Sequence, residues 1–326
     1  MAQKVVVTRP LPGDALERLR REPLDLRLWE GEEPPTRAAF LALLPEVEGL
    51  LCLLTERVDE AALAGGGALR VVSTMAVGYD HIDVAACTRR GIPVGNTPGV
   101  LTETTADLAF ALLLATARRI VEAAEYVKGG HWHTWSPSVL LGVDVHHATL
   151  GIVGLGRIGL EVAKRARGFD MRVLYHSRAR RPEAEAALGL TFVPRLLDLL
   201  GAVDFVTLHV PLGPQTRHLI GPAELKAMKP SAVLINTSRG AVVDQQALYL
   251  ALRTGALAAA GLDVTDPEPL PAEDLLLTLP NAVVLPHIGS ASLQTRAKMA
   301  AMAVDNLLAG LRGERLPHCV NPEVYR

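Results

Sequence analysis

Cysteine is scarce in this chain of 326 residues. Cys52, Cys87 and Cys319 lie far apart, with no CxxC pair and no metal-ligand spacing. That excludes a disulfide framework and suits a reducing compartment. An excess of charge of one sign is also missing: 33 Lys and Arg stand against 35 Asp and Glu, for a formal net charge of −2. No basic surplus marks a nucleic-acid partner, and no acidic tail is present. Long apolar runs are absent too. The most apolar helical pattern, 106–117, is interrupted by Asp107 and stopped by Arg118, so no membrane span is expected. The opening MAQKVVVTRP is too short and polar-flanked for a signal peptide, and the final Val-Tyr-Arg is not a peroxisomal tripeptide. A cytoplasmic protein is expected. No internal repeat or low-complexity tract appears.

What remains is an ordinary globular composition, 49% hydrophobic and 21% charged, over a length that calls for two domains. The first third alternates short apolar runs with helical spacing: KVVVTR (4–9), LDLRLW (24–29), VEGLLCLL (47–54), ALRVVSTM (68–75) and IPVGN (92–96). Strand–helix alternation of this kind makes a parallel sheet with helices on both faces. One long helix should then run from about Thr102 through the Ala- and Leu-rich stretch toward GGHW (129–132). It carries more apolar surface than one domain buries, which suggests a helix between domains or subunits. A second series follows at 148–156, 171–177, 204–210, 232–238, 258–264 and 281–287. A last helix from about Ser290 to Leu311 returns the chain to its first domain. The expected division is therefore discontinuous: 1–103 with 288–326 around 104–287.

Gly154-Leu155-Gly156-Arg157-Ile158-Gly159 is GxGxxG, placed after an apolar strand and before a helical pattern. In that context the helix N-terminus is a pyrophosphate site; without a ligand it would be only a glycine-rich turn. The next strand should end in an acid for the ribose hydroxyls. Instead it reads His176-Ser177-Arg178-Ala179-Arg180-Arg181. A lost carboxylate and gained guanidiniums favour a 2′-phosphate, held by Ser177, Arg178 and Arg180, and hence NADPH over NADH, with NADH still possible. The plainer alternative is a solvated arginine cluster.

Three later strand ends each present one ionisable group: Arg239 in NTSRG, Glu268 between two prolines, and His287 in LPHIGSA, where Pro286 ends the strand. A planar guanidinium can hold a carboxylate and polarise a ketone, an imidazole can deliver a proton, and a carboxylate can fix that imidazole. Together they suit hydride transfer to a 2-oxo acid; the alternative is a surface ion pair. His131, His133, His146 and His147 lack a supporting ligand set, so no metal is expected.

These motifs, with VGYDHID (77–83), HVPL (209–212) and GLDVTDPEP (261–269), occur in an order that resembles the D-isomer-specific 2-hydroxyacid dehydrogenase family over nearly the whole chain. The resemblance implies an α/β architecture of two doubly wound parallel-sheet domains, a flavodoxin-like substrate domain and a Rossmann cofactor domain with a cleft between them. It implies Arg239, Glu268 and His287 as catalytic residues. Cofactor contacts are implied at Thr105, Gly154 to Gly159, Ser177, Arg178, Arg180, His209, Pro211, Thr237, Asp263 and Gly289. Substrate contacts are implied at Leu53, Val77, Gly78, Arg239 and His287, with Trp135 reaching a partner's site in a homodimer. Within the family the chain is most similar to glyoxylate/hydroxypyruvate reductases, which implies a small 2-oxo acid as substrate. A broader 2-oxo acid reductase, acting for instance on 2-ketogluconate, and a non-enzymatic nucleotide-sensing protein resembling the C-terminal-binding corepressors stay open.

Overall fold

Strands that are buried along their whole length form the centre of each sheet, because helices cover both faces. The computed structural model describes residues 2–326. By its contacts the chain separates into a unit of residues 1–101 and 290–326 and a unit of Thr102–Gly289. The crossings fall at 101/102 and 289/290, not at the expected 103/104 and 287/288, because Thr102 is already the first helical residue and Gly289 is still bonded to Asp263.

The first unit holds β1 (Gln3–Val7), β2 (Leu24–Leu28), β3 (Gly49–Cys52), β4 (Val71–Thr74) and β5 (Val94–Gly95), all parallel, in the order β2-β1-β3-β4-β5. This is the flavodoxin-like order. β3 and β4 are buried throughout, whereas edge strand β2 alternates in exposure. The Leu293–Leu311 helix, capped by Ser292, packs on β3 and β4. It comes so close that a Cβ at Gly310 would meet Val71 at 2.5 Å. Fully buried Asn306 on this helix donates to the Asn96 carbonyl (2.9 Å) and accepts from the His318 amide (2.9 Å), so both polar atoms of its buried amide have a partner.

The second unit holds β6 (Thr149–Val153), β7 (Arg172–His176), β8 (Thr191–Phe192), β9 (Phe205–Leu208), β10 (Val233–Asn236), β11 (Ala259–Leu262) and β12 (Ala282–Val284). The order β12-β11-β10-β9-β6-β7-β8, parallel throughout, is that of a Rossmann sheet with one further strand. The order reverses between β6 and β9, where such sheets place ligands. β8 has no counterpart among the expected strands: two edge residues carry too little apolar pattern to be read.

The long helix expected after Thr102 is broken. Thr102–Ala117 and Ile120–Lys128 are separate helices, with Arg119 between them at φ +53°. The first helix ends where the Val143 amide takes the Ala117 carbonyl at 2.9 Å, satisfying a group that would otherwise bond along the helix. Arg119 then holds Glu122 with both Nε (2.9 Å) and a terminal nitrogen (2.7 Å). The first helix lies on β10 and β11, and the second buries none of its residues.

Candidate functional site

The glycine run sits at the end of β6, at the point where the sheet order reverses. Gly154 takes φ +96°, and a Cβ there would lie 2.7 Å from the His209 carbonyl at the end of β9. A Cβ at Gly159 would meet the Gly154 carbonyl at 2.3 Å, so glycine alone lets the Arg157–Ala166 helix begin this close to the strand. The helical ladder starts with Leu160 N to Gly156 O (3.0 Å), which leaves the amides of Arg157, Ile158 and Gly159 outside it. These amides and the helix dipole suit an anion. His209 shares a hydrogen bond with Thr207 Oγ1 (2.9 Å), and burial pulls its imidazole down to about 3, so the ring is neutral at physiological pH. Buried Thr237 Oγ1 has no protein partner among the described residues. An orphaned hydroxyl on the strand-end loop after β10, at the same sheet edge as a helix N-terminus cleared by glycine, fits a dinucleotide.

β10, β11 and β12 are neighbours, so the loops leaving them share one edge of the sheet. After β10, buried Asn236 organises the turn: its Oδ1 accepts from Ser238 N (3.0 Å) and Oγ (2.8 Å), while its Nδ2 donates to the Arg239 carbonyl (2.9 Å). Half-buried Arg239 donates to the Ser238 carbonyl at 2.8 Å. Gly240 lies against the loop after β11, where a Cβ would come within 1.9 Å of the Thr265 carbonyl carbon. The turn carrying Arg239 and the loop leading to Glu268 are thereby packed backbone to backbone.

After β12, the Leu285 amide bonds the Leu262 carbonyl (2.7 Å) and the His287 amide bonds the Asp263 carbonyl (2.9 Å). His287 itself adopts φ +54°, a left-handed conformation uncommon outside glycine. The Asp263 carboxylate stabilises this turn. It is 1% exposed and accepts from the Ile288 amide at Oδ1 and the Gly289 amide at Oδ2, both at 2.7 Å. Burial raises its carboxyl above the ordinary range, against the pull of the two amides. Thr105 of the Thr102–Ala117 helix borders Gly289.

His287 Nδ1 and Glu268 Oε1 are 3.0 Å apart. An ionised carboxylate only accepts, so Nδ1 carries the proton and Nε2 is left as the ring position that can exchange one with a ligand. This pair, Asp263 and Arg239 all lie on the same sheet edge as the glycine run.

The other expected site residues each have local surroundings of their own. Ser177 is half-buried and Arg178 exposed beyond β7, but Arg180 is engaged: Nε lies 2.9 and 3.1 Å from the two Glu185 oxygens and a terminal nitrogen 2.7 Å from one. Pro211 is exposed two residues past His209. In the first unit, the Leu53 amide donates to buried Glu56 (2.8 Å), and the Val77 carbonyl accepts from Asn96 Nδ2 (2.8 Å), with Gly78 half-buried beside it. Trp135 is 77% exposed. Asp263 was singled out within GLDVTDPEP, though not as a double amide acceptor, whereas Glu56, Asn96 and Glu185 were not distinguished by sequence. Each of these three is an acid or amide among many, with no local motif. Among the described residues, no group of three or more His, Cys, Asp or Glu could hold a metal, and no helix is long and apolar enough to cross a membrane.

Residues 110–289 match the family model described as D-isomer specific 2-hydroxyacid dehydrogenase, NAD binding domain. A glyoxylate reductase from Korarchaeum cryptofilum is 51% identical, over 100% of this chain and 98% of its own length. One from Thermococcus litoralis is 48% identical, over 99% and 98%. Among solved structures, the TT0316 protein of Thermus thermophilus is 50% identical with a TM-score of 0.91, covering 98% of this chain and 100% of that one. An NADPH-dependent glyoxylate/hydroxypyruvate reductase from Sinorhizobium meliloti, solved with NADP and malonate, is 34% identical with a TM-score of 0.86, over 99% and 98%. Full-length likeness at this level, on a fold whose glycine-bounded helix and strand-end histidine suit nicotinamide chemistry, means that the chain belongs to the D-isomer-specific 2-hydroxyacid dehydrogenases and is an NAD(P)-dependent oxidoreductase.

Proposed function

We propose that this enzyme reduces glyoxylate and hydroxypyruvate to glycolate and D-glycerate, preferring NADPH to NADH. The observation that carries the reading is the 3.0 Å pair of His287 Nδ1 and Glu268 Oε1 at the same sheet edge as the glycine run. When bound, the reduced nicotinamide supplies the hydride that attacks the carbonyl carbon. His287 Nε2 gives its proton to the emerging alkoxide oxygen, and Glu268 stabilises the imidazolium and fixes its orientation. Arg239 holds the substrate carboxylate and polarises the carbonyl oxygen. Asp263 and Gly289 belong to the nicotinamide end, with Thr105 and Thr237 beside them. His209, Pro211 and the amides of Gly154 to Gly159 serve the rest of the dinucleotide. From the first unit, Leu53 and the Val77–Gly78 backbone are assigned to the substrate.

The NADPH preference rests on Ser177 and Arg178 following β7 in place of an acid, and the cofactor named for the Sinorhizobium meliloti reductase agrees with it. A homodimer is proposed from the second helix of the broken pair, Ile120–Lys128, whose Ile120, Val121 and Val127 are exposed, and from exposed Trp132, Trp135 and Leu141 nearby in sequence. Trp135 is assigned to the partner's substrate site. The three free thiols agree with a cytoplasmic location.

Loss of reduced-nicotinamide absorbance tests the reading, with glyoxylate, hydroxypyruvate, pyruvate or 2-ketogluconate and either NADPH or NADH. Rapid NADPH oxidation with the first two acids is expected. Turnover only with larger 2-oxo acids would refute the substrate assignment, and a preference for NADH would refute the cofactor assignment.

A further inference from the structure

The corner after β7 contains its own competitor for a phosphate. Tyr175, whose residue is fully buried, donates its hydroxyl to Glu185 Oε1 at 2.6 Å and accepts from the Arg181 amide at 2.7 Å. Glu185 is thereby anchored to the strand, and the loop 177–181 is tied to the same hydroxyl. From this position the carboxylate grips Arg180 with both oxygens. Arg180 is the chief cause that keeps the Glu185 carboxyl below its ordinary range, with Tyr175 second, so it is an anion throughout the physiological range. Arg178, exposed on the same loop, has no ion pair among the described residues.

We propose that Glu185 is a specificity-determining residue that limits the enzyme's preference for NADPH, because a 2′-phosphate can recruit Arg180 only by breaking the bidentate pair that Glu185 holds. The inference rests on reading the Ser177–Arg178 corner as the 2′-phosphate position. Arg178 and Ser177 then supply the discrimination, and Arg180 is withheld. A phosphate dianion arriving here also meets the Glu185 charge, which Tyr175 keeps from swinging away. A cofactor with a plain 2′-hydroxyl meets neither cost, so NADH remains usable.

Calorimetric titration of the full-length protein with adenosine 2′,5′-bisphosphate and with 5′-AMP separates this from turnover. Glu185→Gln keeps the shape and a Tyr175 acceptor but releases Arg180. It should tighten the bisphosphate by roughly three- to tenfold and leave 5′-AMP unchanged, the size expected when a partly exposed charge pair is redirected. Arg180→Ala in the native background should change bisphosphate affinity less than about twofold, and adding it to Glu185→Gln should cancel the gain. The NADPH-to-NADH ratio of kcat/KM should follow the same pattern. An unchanged bisphosphate affinity in Glu185→Gln would overturn the inference, as would equal tightening of both ligands. So would a loss in Arg180→Ala as large as that in Arg178→Ala. If Arg178→Ala weakens neither ligand or both alike, the reading of the corner fails, and the inference fails with it.

Discussion

At the scale of single residues, the proposed mechanism places the proton transfer on His287. Its ring is oriented by Glu268, and its backbone is held at positive φ by amides that Asp263 accepts from the two following residues. Replacing His287 by Asn should lower kcat by about 10²–10⁴-fold, the usual contribution of a positioned proton donor. Cofactor affinity, read by nicotinamide fluorescence, should stay near native; a comparable loss in both would make the residue structural. His209 bears on stability rather than on turnover. Its ring is held down to about 3 from an ordinary 6.5 by burial. Above pH 6.5 the ring is neutral in folded and unfolded chains alike. Below that, the unfolded chain takes up a proton that the native ring refuses, so stability falls as pH drops from 6.5 toward 3. Urea midpoints measured from pH 8 to 4 should therefore decline more steeply for the native protein than for His209→Asn. Parallel curves would mean that the ring is protonated in the fold.

At the scale of elements, the packing of the turn after β10 against the loop after β11 positions Arg239. Gly240→Ala places a Cβ 1.9 Å from the Thr265 carbonyl carbon, where backbone must move. A cost of roughly 1–3 kcal/mol is expected, as for other overpacked sites. Thermal melting should show the loss, and KM for the 2-oxo acid should rise as Arg239 shifts; an unchanged melting temperature would disprove the tight approach. Much of this architecture was legible in the sequence, for physical reasons. Central strands must be apolar on both faces, so β3, β4 and β10 stand out, and a glycine run between strand and helix has few other uses. The break at Arg119 was not legible, because it depends on Val143 taking the Ala117 carbonyl from 26 residues further along the chain. The engagement of Arg180 escaped notice for a similar reason. Glu185 is one acid among 35 Asp and Glu, and only the fold brings it, Tyr175 and the loop together. Positive φ at His287 leaves only a faint mark in a sequence, since histidine enters that conformation more readily than most residues but most histidines do not adopt it.

At the scale of the whole molecule, one unit is continuous and the other is built from two distant segments. The 102–289 fragment contains every strand of its sheet and should fold alone, with a cooperative melt and binding of ADP-ribose. The 1–289 fragment lacks the Leu293–Leu311 helix that covers β3 and β4. It should bind a hydrophobic dye strongly and lose the first-unit melting transition. A fragment that stays dye-free would mean that the five strands bury their faces without the helix.

The same division dictates an order of events on the ribosome. Residues up to 101 emerge first of the two units, yet the helix that closes their sheet is synthesised only after the whole 102–289 unit. The dinucleotide unit is complete in the nascent chain before its predecessor can be. For the time needed to translate roughly 190 residues, at about 5–20 residues per second, the apolar strands at the N-terminus are without their final cover. Chaperone demand for this enzyme should therefore fall on its first hundred residues, although they belong to the smaller sheet.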